Sequence, residues 1–314
     1  MMTAGLADNR PWLLVEASAQ GVLRVATASP SQRPRLQRVN ELDISGVPTF
    51  TDGLQRIERE HGVALHGTKC AIAMAGATSG EALSLVRSRW TITRSGLTAI
   101  FEKPVVVLND VAARAWAVRS GSATVVNVRG IGSPSFDNPV RYLMIMVEEG
   151  VGAAIVDVDR TGRMRVLETE AGHTDFGPIN EDEFRLAMAL KGTAPAASWE
   201  KLLMLDRNDP IWSNACPTVL DRDRVRMQSE WLGRFSVNLA HAYGAWNGMM
   251  LTGTRASRIL EAAGRSAFDA SFLGRRTFAR LLSGCPVWRV DQHEAVLTGT
   301  AERLAYNLQV AQAA

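Results

Sequence analysis

Two short polar runs in this 314-residue sequence have the residue types and spacing to do chemistry. Asn109-Asp110 follows directly on the apolar run Val105–Leu108, so an amide and a carboxylate stand together at a strand's carboxyl end. The same pair suits a plain capping role, because Asn and Asp side chains accept from the first N–H groups of a helix. The second run, Glu170-Ala171-Gly172-His173 with Thr174-Asp175-Phe176-Gly177-Pro178, gathers an acid, an imidazole and another acid in a turn-rich loop after a strand. Loops of this kind are where polar groups converge on a ligand.

The elements that must position these residues read as mixed α/β. Strands are expected at Trp12–Glu16, Val22–Ala28, Lys69–Ala75, Leu83–Val86 and Val105–Leu108, with an amphipathic segment at Phe50–His61 and a helix over Val111–Val118. Val105–Leu108 is continuously apolar, as expected of a strand covered on both faces. A second strand set runs through Ala123–Val128, Tyr142–Val147, Gly152–Val158 and Met164–Glu168, interrupted by the turn-rich Gly130-Ile131-Gly132-Ser133-Pro134. The remainder reads as helices at Asp182–Leu190, Ser198–Leu205 and Asp223–Tyr243, then a short strand at Met249–Leu251. The two similar strand clusters suggest a duplicated α/β unit with a cleft between the halves, and ligands favour such clefts.

Composition narrows the function classes. With 46% apolar and 21% charged residues the chain can bury a sizeable core, and its length suits two lobes better than one. No run approaches the ~18 apolar residues of a membrane span, and Met1–Arg10 has no signal-like apolar region, so a cytoplasmic protein without membrane partners is expected. The net charge is +3, but the basic residues are scattered and only Lys69, Lys103, Lys191 and Lys201 are lysines, so no nucleic-acid partner is expected. Cys70, Cys216 and Cys285 are odd in number and lack zinc-site spacing; His66 and Cys70 sit four apart, but two ligands do not make a site. No metal centre is read from the sequence.

The motifs together resemble the bacterial glucokinases of the actin-like sugar kinase superfamily. The resemblance is carried by Val105-Val106-Val107-Leu108-Asn109-Asp110, by Glu170–Pro178 and by Glu181-Asp182-Glu183. Cys70–Gly76 with Trp90, Ser198-Trp199-Glu200, and the closing segment Ala267-Phe268, Phe272, Phe278, Pro286-Val287 and Leu297-Thr298-Gly299 extend it from about Leu13 to Leu304. It implies a two-lobed, ribonuclease H-like α/β fold with a cleft between lobes. The small lobe would span residues 1–108, joined by a C-terminal helix at 297–314, and the large lobe 109–296. It also implies a sugar site of Asn109, Asp110, Glu170, His173 and Glu200, with Asp110 as the general base toward the sugar 6-hydroxyl. The chemistry is apt, since an aldohexose both donates and accepts, and carboxylates with amide and imidazole groups can meet both needs. Glucose would be the substrate, ATP and magnesium the cofactors, and a homodimer the expected assembly.

The nucleotide half departs from the family pattern. Where the family has D-x-G-G-T-N, a turn whose glycines admit phosphate and whose aspartate organises magnesium, the chain reads Glu16-Ala17-Ser18-Ala19-Gln20-Gly21. The second phosphate turn reads Glu148-Glu149-Gly150-Val151-Gly152, two carboxylates where a polyanion should sit; two solvated glutamates at a strand end or carboxylates bridged by a metal ion both fit. On the adenosine side stand Thr252-Gly253-Thr254 and Leu203-Met204-Leu205-Asp206. Glu16, Glu149, Gly150 and Gly253 are therefore the candidate nucleotide contacts. The expectation is a glucokinase-like hexose-binding protein with weak or lost kinase activity, acting as a sensor or regulatory subunit. The alternative is a working ATP-dependent hexose kinase with Asp110 as base and Glu16 or Glu149 holding magnesium. A repressor of the related sugar-sensing family would need a DNA-binding helical pair, and only about ten residues precede the first strand.

Overall fold

β1 (Trp12–Ala17) shows why the first part of the chain folds as it does. Its side chains alternate between two cores: Leu13, Val15 and Ala17 pack with Leu54, Ile57 and Phe101, while Trp12 and Leu14 pack with Leu297, Ala301 and Leu304. A strand covered on both faces reads as mostly apolar, and β1 does so apart from Glu16. The structure, a computed structural model, describes residues 10–18, 21–44, 46–86, 88–205, 219–261, 264–274 and 277–313.

Around β1 lie β2 (Val22–Ala28), β3 (Leu36–Asp43), α1 (Phe50–His61), β4 (Cys70–Met74), β5 (Ala82–Leu83), β6 (Ile92–Thr93), α2 (Arg94–Phe101), β7 (Val106–Asn109) and α3 (Asp110–Val118). The sheet order is β3-β2-β1-β4-β7, with β1, β4 and β7 parallel and β1, β2 and β3 an antiparallel meander. α1 starts at a capping box, where Thr49 and Asp52 satisfy each other's backbone N–H, and stops at Gly62 in the left-handed region.

The second set comprises β8 (Thr124–Arg129), β9 (Val140–Val147), β10 (Val151–Val158), β11 (Met164–Thr169), a 3-10 turn (Ala171–His173), α4 (Glu181–Leu190), α5 (Trp199–Leu203), α6 (Val219–Tyr243), β12 (Gly248–Thr252), α7 (Thr254–Glu261), α8 (Arg265–Leu273), α9 (Ala279–Gly284) and β13 (Val287–Asp291). Its sheet order is β11-β10-β9-β12-β13-β8. The order repeats the first sheet, a three-strand antiparallel meander followed by parallel strands, with β8 added as an antiparallel edge. Two α/β repeats are thus present. The core of this set is aromatic: Phe176 meets Trp199 edge-on at 4.9 Å and Trp231 at 6.0 Å, and Trp199 meets Phe235 at 5.5 Å.

The last helix is α10 (Ala295–Ala313), which packs on the Trp12 and Leu14 face of the first sheet. Two compact units result, Met1–Ala123 with Gln292–Ala314, and Thr124–Asp291. The divisions fall at 123 and 291, where the resemblance implies 108 and 296; the first lies later because α3 lies along α10 and belongs with it. Several elements differ from the sequence reading. β3, β13, α2 and α7–α9 were not expected, Leu83–Val86 keeps only the two-residue β5, and the helix expected over Ser198–Leu205 is the shorter α5. Among the described residues no helix is long and apolar enough to cross a membrane.

Candidate functional site

In the first unit, the parallel register aligns three strand ends. Ala17 of β1 pairs with Met74 of β4, which pairs with Asn109 of β7, so Glu16 and the Asn109-Asp110 pair emerge at the same edge of the sheet. Asn109 does cap α3: its Oδ1 accepts from Val111 N at 2.8 Å, while its Nδ2 donates to Gly76 O at 3.0 Å. The amide is thereby oriented from both ends. Asp110 opens the helix, and its Oδ1 also accepts from Val111 N at 2.9 Å. Glu16 lies deep enough that burial raises its pKa above the usual carboxylate value; Arg24 and Arg114 oppose that rise, and Glu294 and Asp110 add to it.

The turn after Glu16 is closed on itself. Ser18 N donates to Val22 O at 3.0 Å, Gly21 N to Ser18 O at 3.4 Å, and Val22 N to Ser18 Oγ at 3.3 Å. These three backbone donors are already engaged. Ala19 and Gln20 lie outside the described residues.

In the second unit, a short antiparallel link brings the two sugar-type segments together. Phe176 N donates to Ala197 O at 2.8 Å and Trp199 N to Thr174 O at 3.0 Å, around the Asp175–Ser198 bridge. This places the Glu170–His173 turn beside the start of α5, where Glu200 sits. Glu170 and His173 are both well exposed, with Oε2 and Nε2 3.8 Å apart. Glu200 is turned to the β9–β10 turn instead: its Oε2 accepts from Val151 N at 3.0 Å and would lie 3.1 Å from a Cβ on Gly150. Glu148 N donates to Gly150 O at 3.1 Å, so the second phosphate-type turn also engages one of its own donors. Gly253, at φ +101°, backs the same turn; a Cβ there would fall 2.4 Å from Val147 O. Asp206 and Cys216 lie outside the described residues.

One buried ion pair fixes this loop and was not anticipated. Glu183 accepts from Arg234 Nη1 at 2.6 Å, from Trp231 Nε1 at 3.0 Å and from Ile179 N at 2.9 Å. Arg234 also donates to Gly177 O and lies over the Phe176 and Trp199 rings at 5.1 and 5.7 Å. The signal was available: Arg234 interrupts the apolar face of α6 formed by Trp231, Leu232, Phe235 and Leu239. A charge in such a stripe needs a buried partner.

The remaining candidates stand apart. His66 pairs with Glu102 at 3.4 Å on the surface, Cys70 is buried, and burial pushes the Cys285 thiol up to about 12. Among the described residues no cluster of His, Cys, Asp or Glu is arranged to hold a metal ion.

Against known proteins, the sequence profile named Glucokinase matches residues 19–204 and 211–307, most of the chain. The chain belongs to the glucokinase family. A glucokinase of Xylella fastidiosa (strain 9a5c) is 26% identical, the alignment covering 94% of this chain and 95% of its own. Among solved structures, the glucokinase of Balamuthia mandrillaris in complex with glucose superposes with a TM-score of 0.72 at 18% identity, covering 96% of this chain and 95% of that one. The ROK family glucokinase from Streptomyces griseus, in complex with glucose and AMPPNP, gives 0.55 at 14% identity, covering 93% and 98%. The fold is therefore the actin-like sugar-kinase fold of glucokinases.

Proposed function

We propose that this glucokinase-family protein binds a hexose, glucose foremost, through Asn109, Asp110, Glu170, His173 and Glu200, and that ATP-dependent transfer to that sugar is weak or lost. The glucose-bound relative supports the sugar class. The residue set supports it chemically: Asn109 and His173 can donate to sugar hydroxyls, and Asp110, Glu170 and Glu200 can accept. Such a set discriminates by hydroxyl configuration, since a missing hydroxyl leaves a polar group unpaired. Asp110, at the helix start, is the carboxylate suited to take a proton from the 6-hydroxyl.

One observation carries the second half of the proposal. At the two phosphate-type turns several backbone N–H donors are already bonded: those of Ser18, Gly21 and Val22 in the first, and of Glu148 and Val151 in the second. In this family ATP supplies the phosphoryl group and magnesium the charge that balances it. Here a nucleotide phosphate would have to break these bonds, and it would meet the Glu148 and Glu149 carboxylates while doing so. The residues present do not fit that ligand. The retained sugar set against the altered turns favours a sensor or regulatory role. A coupled assay with glucose, ATP and magnesium tests the reading: turnover at ordinary kinase rates, ~1–100 s⁻¹, would establish a working glucokinase instead.

A further inference from the structure

The two-residue period of the first sheet sends Trp12, Leu14 and Glu16 of β1 to the face covered by α10, and Arg24, Ala26 and Ala28 of β2 to the same face. Strand register then sets Glu16 directly opposite Arg24, and Arg24 opposite Glu41 of β3. A carboxylate, a guanidinium and a carboxylate therefore lie in one row across three strands. Glu294, the residue before α10, closes the row from above. The Arg24 guanidinium meets Glu16 at 3.3 Å and Glu41 at 3.0 Å, and it donates to Glu294 Oε1.

The two inner carboxylates are the consequential ones. The side chains of Glu16 and Glu294 are 13% and 10% exposed, whereas Glu41 is 66% exposed and screened by water. Glu294 holds this place at φ +54°, a left-handed conformation that disfavours a residue with a Cβ. Its other oxygen, Oε2, is buried without a hydrogen-bond partner. Two buried carboxylates thus share Arg24, and one of them is Glu16, the position where the family pattern has its magnesium-organising acid. A guanidinium keeps its charge at every working pH, so Arg24 does not yield by deprotonating.

We propose that Arg24 is a resident cation standing in for a divalent metal at Glu16, so that this protein does not recruit magnesium there and binds its sugar without it. The inference rests on the reading above of a hexose-binding protein with impaired phosphotransfer. It predicts a latent metal site: with the Arg24 guanidinium removed, Glu16 and Glu294 would remain as two buried carboxylates with Arg114 the remaining cation acting on Glu16, and a divalent ion is the species that relieves them.

Manganese alone is the probe, followed by the relaxation enhancement of water protons in solutions of the full chain without nucleotide. The wild type should show no saturable binding into the millimolar range. Arg24→Met should gain one site at least tenfold tighter than anything in the wild type, and adding Glu16→Gln should remove it. Saturable manganese binding by the wild type that Glu16→Gln weakens overturns the proposal without any other variant. So does an Arg24→Met or Arg24→Gln protein that folds, by circular dichroism, yet gains no site. Glucose-dependent melting is recorded on the same wild-type samples; its absence would refute the hexose reading while leaving the manganese result to be judged separately.

Discussion

Arg234→Met should destabilise the second unit strongly while leaving every proposed sugar contact in place. The side chains of Arg234 and Glu183 are 10% and 11% exposed, so removing the guanidinium strands a buried carboxylate. Breaking a buried pair from one side costs about 3–5 kcal/mol. Glu183 keeps its bonds from Trp231 Nε1 and Ile179 N, and Met keeps part of the contact with Phe176 and Trp199, which points to the low end, about 3 kcal/mol. At ~2–4 °C per kcal/mol for a unit of this size, the Tm should fall by roughly 6–12 °C. Arg185→Met on α4 is the matched control. Its 3.0 Å pair with Glu181 is about 70% exposed on both sides, and surface pairs contribute ~0–1 kcal/mol. Calorimetric melting of both variants decides the matter. Because Arg234 also holds Gly177, four residues past His173, its loss should weaken glucose binding as well. Equal, small shifts for Arg234→Met and Arg185→Met would refute the reasoning that this pair is buried and anchors the loop.

Other outcomes follow from the same structure. Glu16 has a raised pKa in the fold, so it contributes stability that is present below the unfolded value of about 4.5 and lost as pH rises through the folded one; Glu16→Gln should gain stability relative to wild type over that rise, read as the difference of their Tm values across a pH series. Gly253→Ala should cost about 2 kcal/mol or more in urea unfolding, since φ is +101° and the new Cβ would meet Val147 O, while Gly284→Ala, with open space around it, should be near neutral. Restoring the family turns, with aspartate at Glu16, glycine at Ser18, Ala19 and Glu148 and threonine at Glu149, should raise kinase activity in the coupled assay. Adding Asp110→Asn should then lower that activity by about 10²–10⁴-fold.

How much the sequence disclosed depended on where the information lay. The strands β1, β4 and β7 were legible because both faces are covered and their residues are apolar apart from Glu16 and Asn109 near their carboxyl ends. β3 was not, because Leu36–Asp43 is an edge strand whose residues are mostly polar and half-exposed, with no apolar face to mark it. β13 was missed because Arg289 and Asp291 break a five-residue run. Asn109 and Asp110 stood out as candidate chemistry-bearing residues, with the capping alternative left open; the structure shows Asn109 capping α3, a role compatible with presenting its amide to a ligand. Arg24 and Glu294 could not have been found. Their meeting depends on β1–β2 register and on a helix more than 260 residues away, and register is set by packing that no local pattern records.

The account turns on one claim, that the sugar half of the site works and the nucleotide half does not. Isothermal titration of the wild-type protein with glucose, then with magnesium and AMPPNP into the glucose-loaded cell, measures both halves in one experiment. The expected result is a saturable heat for glucose, absent in Glu170→Ala and His173→Ala, and no saturable heat for the nucleotide into the millimolar range. A nucleotide dissociation constant in the low micromolar range, or no heat from glucose, would contradict it.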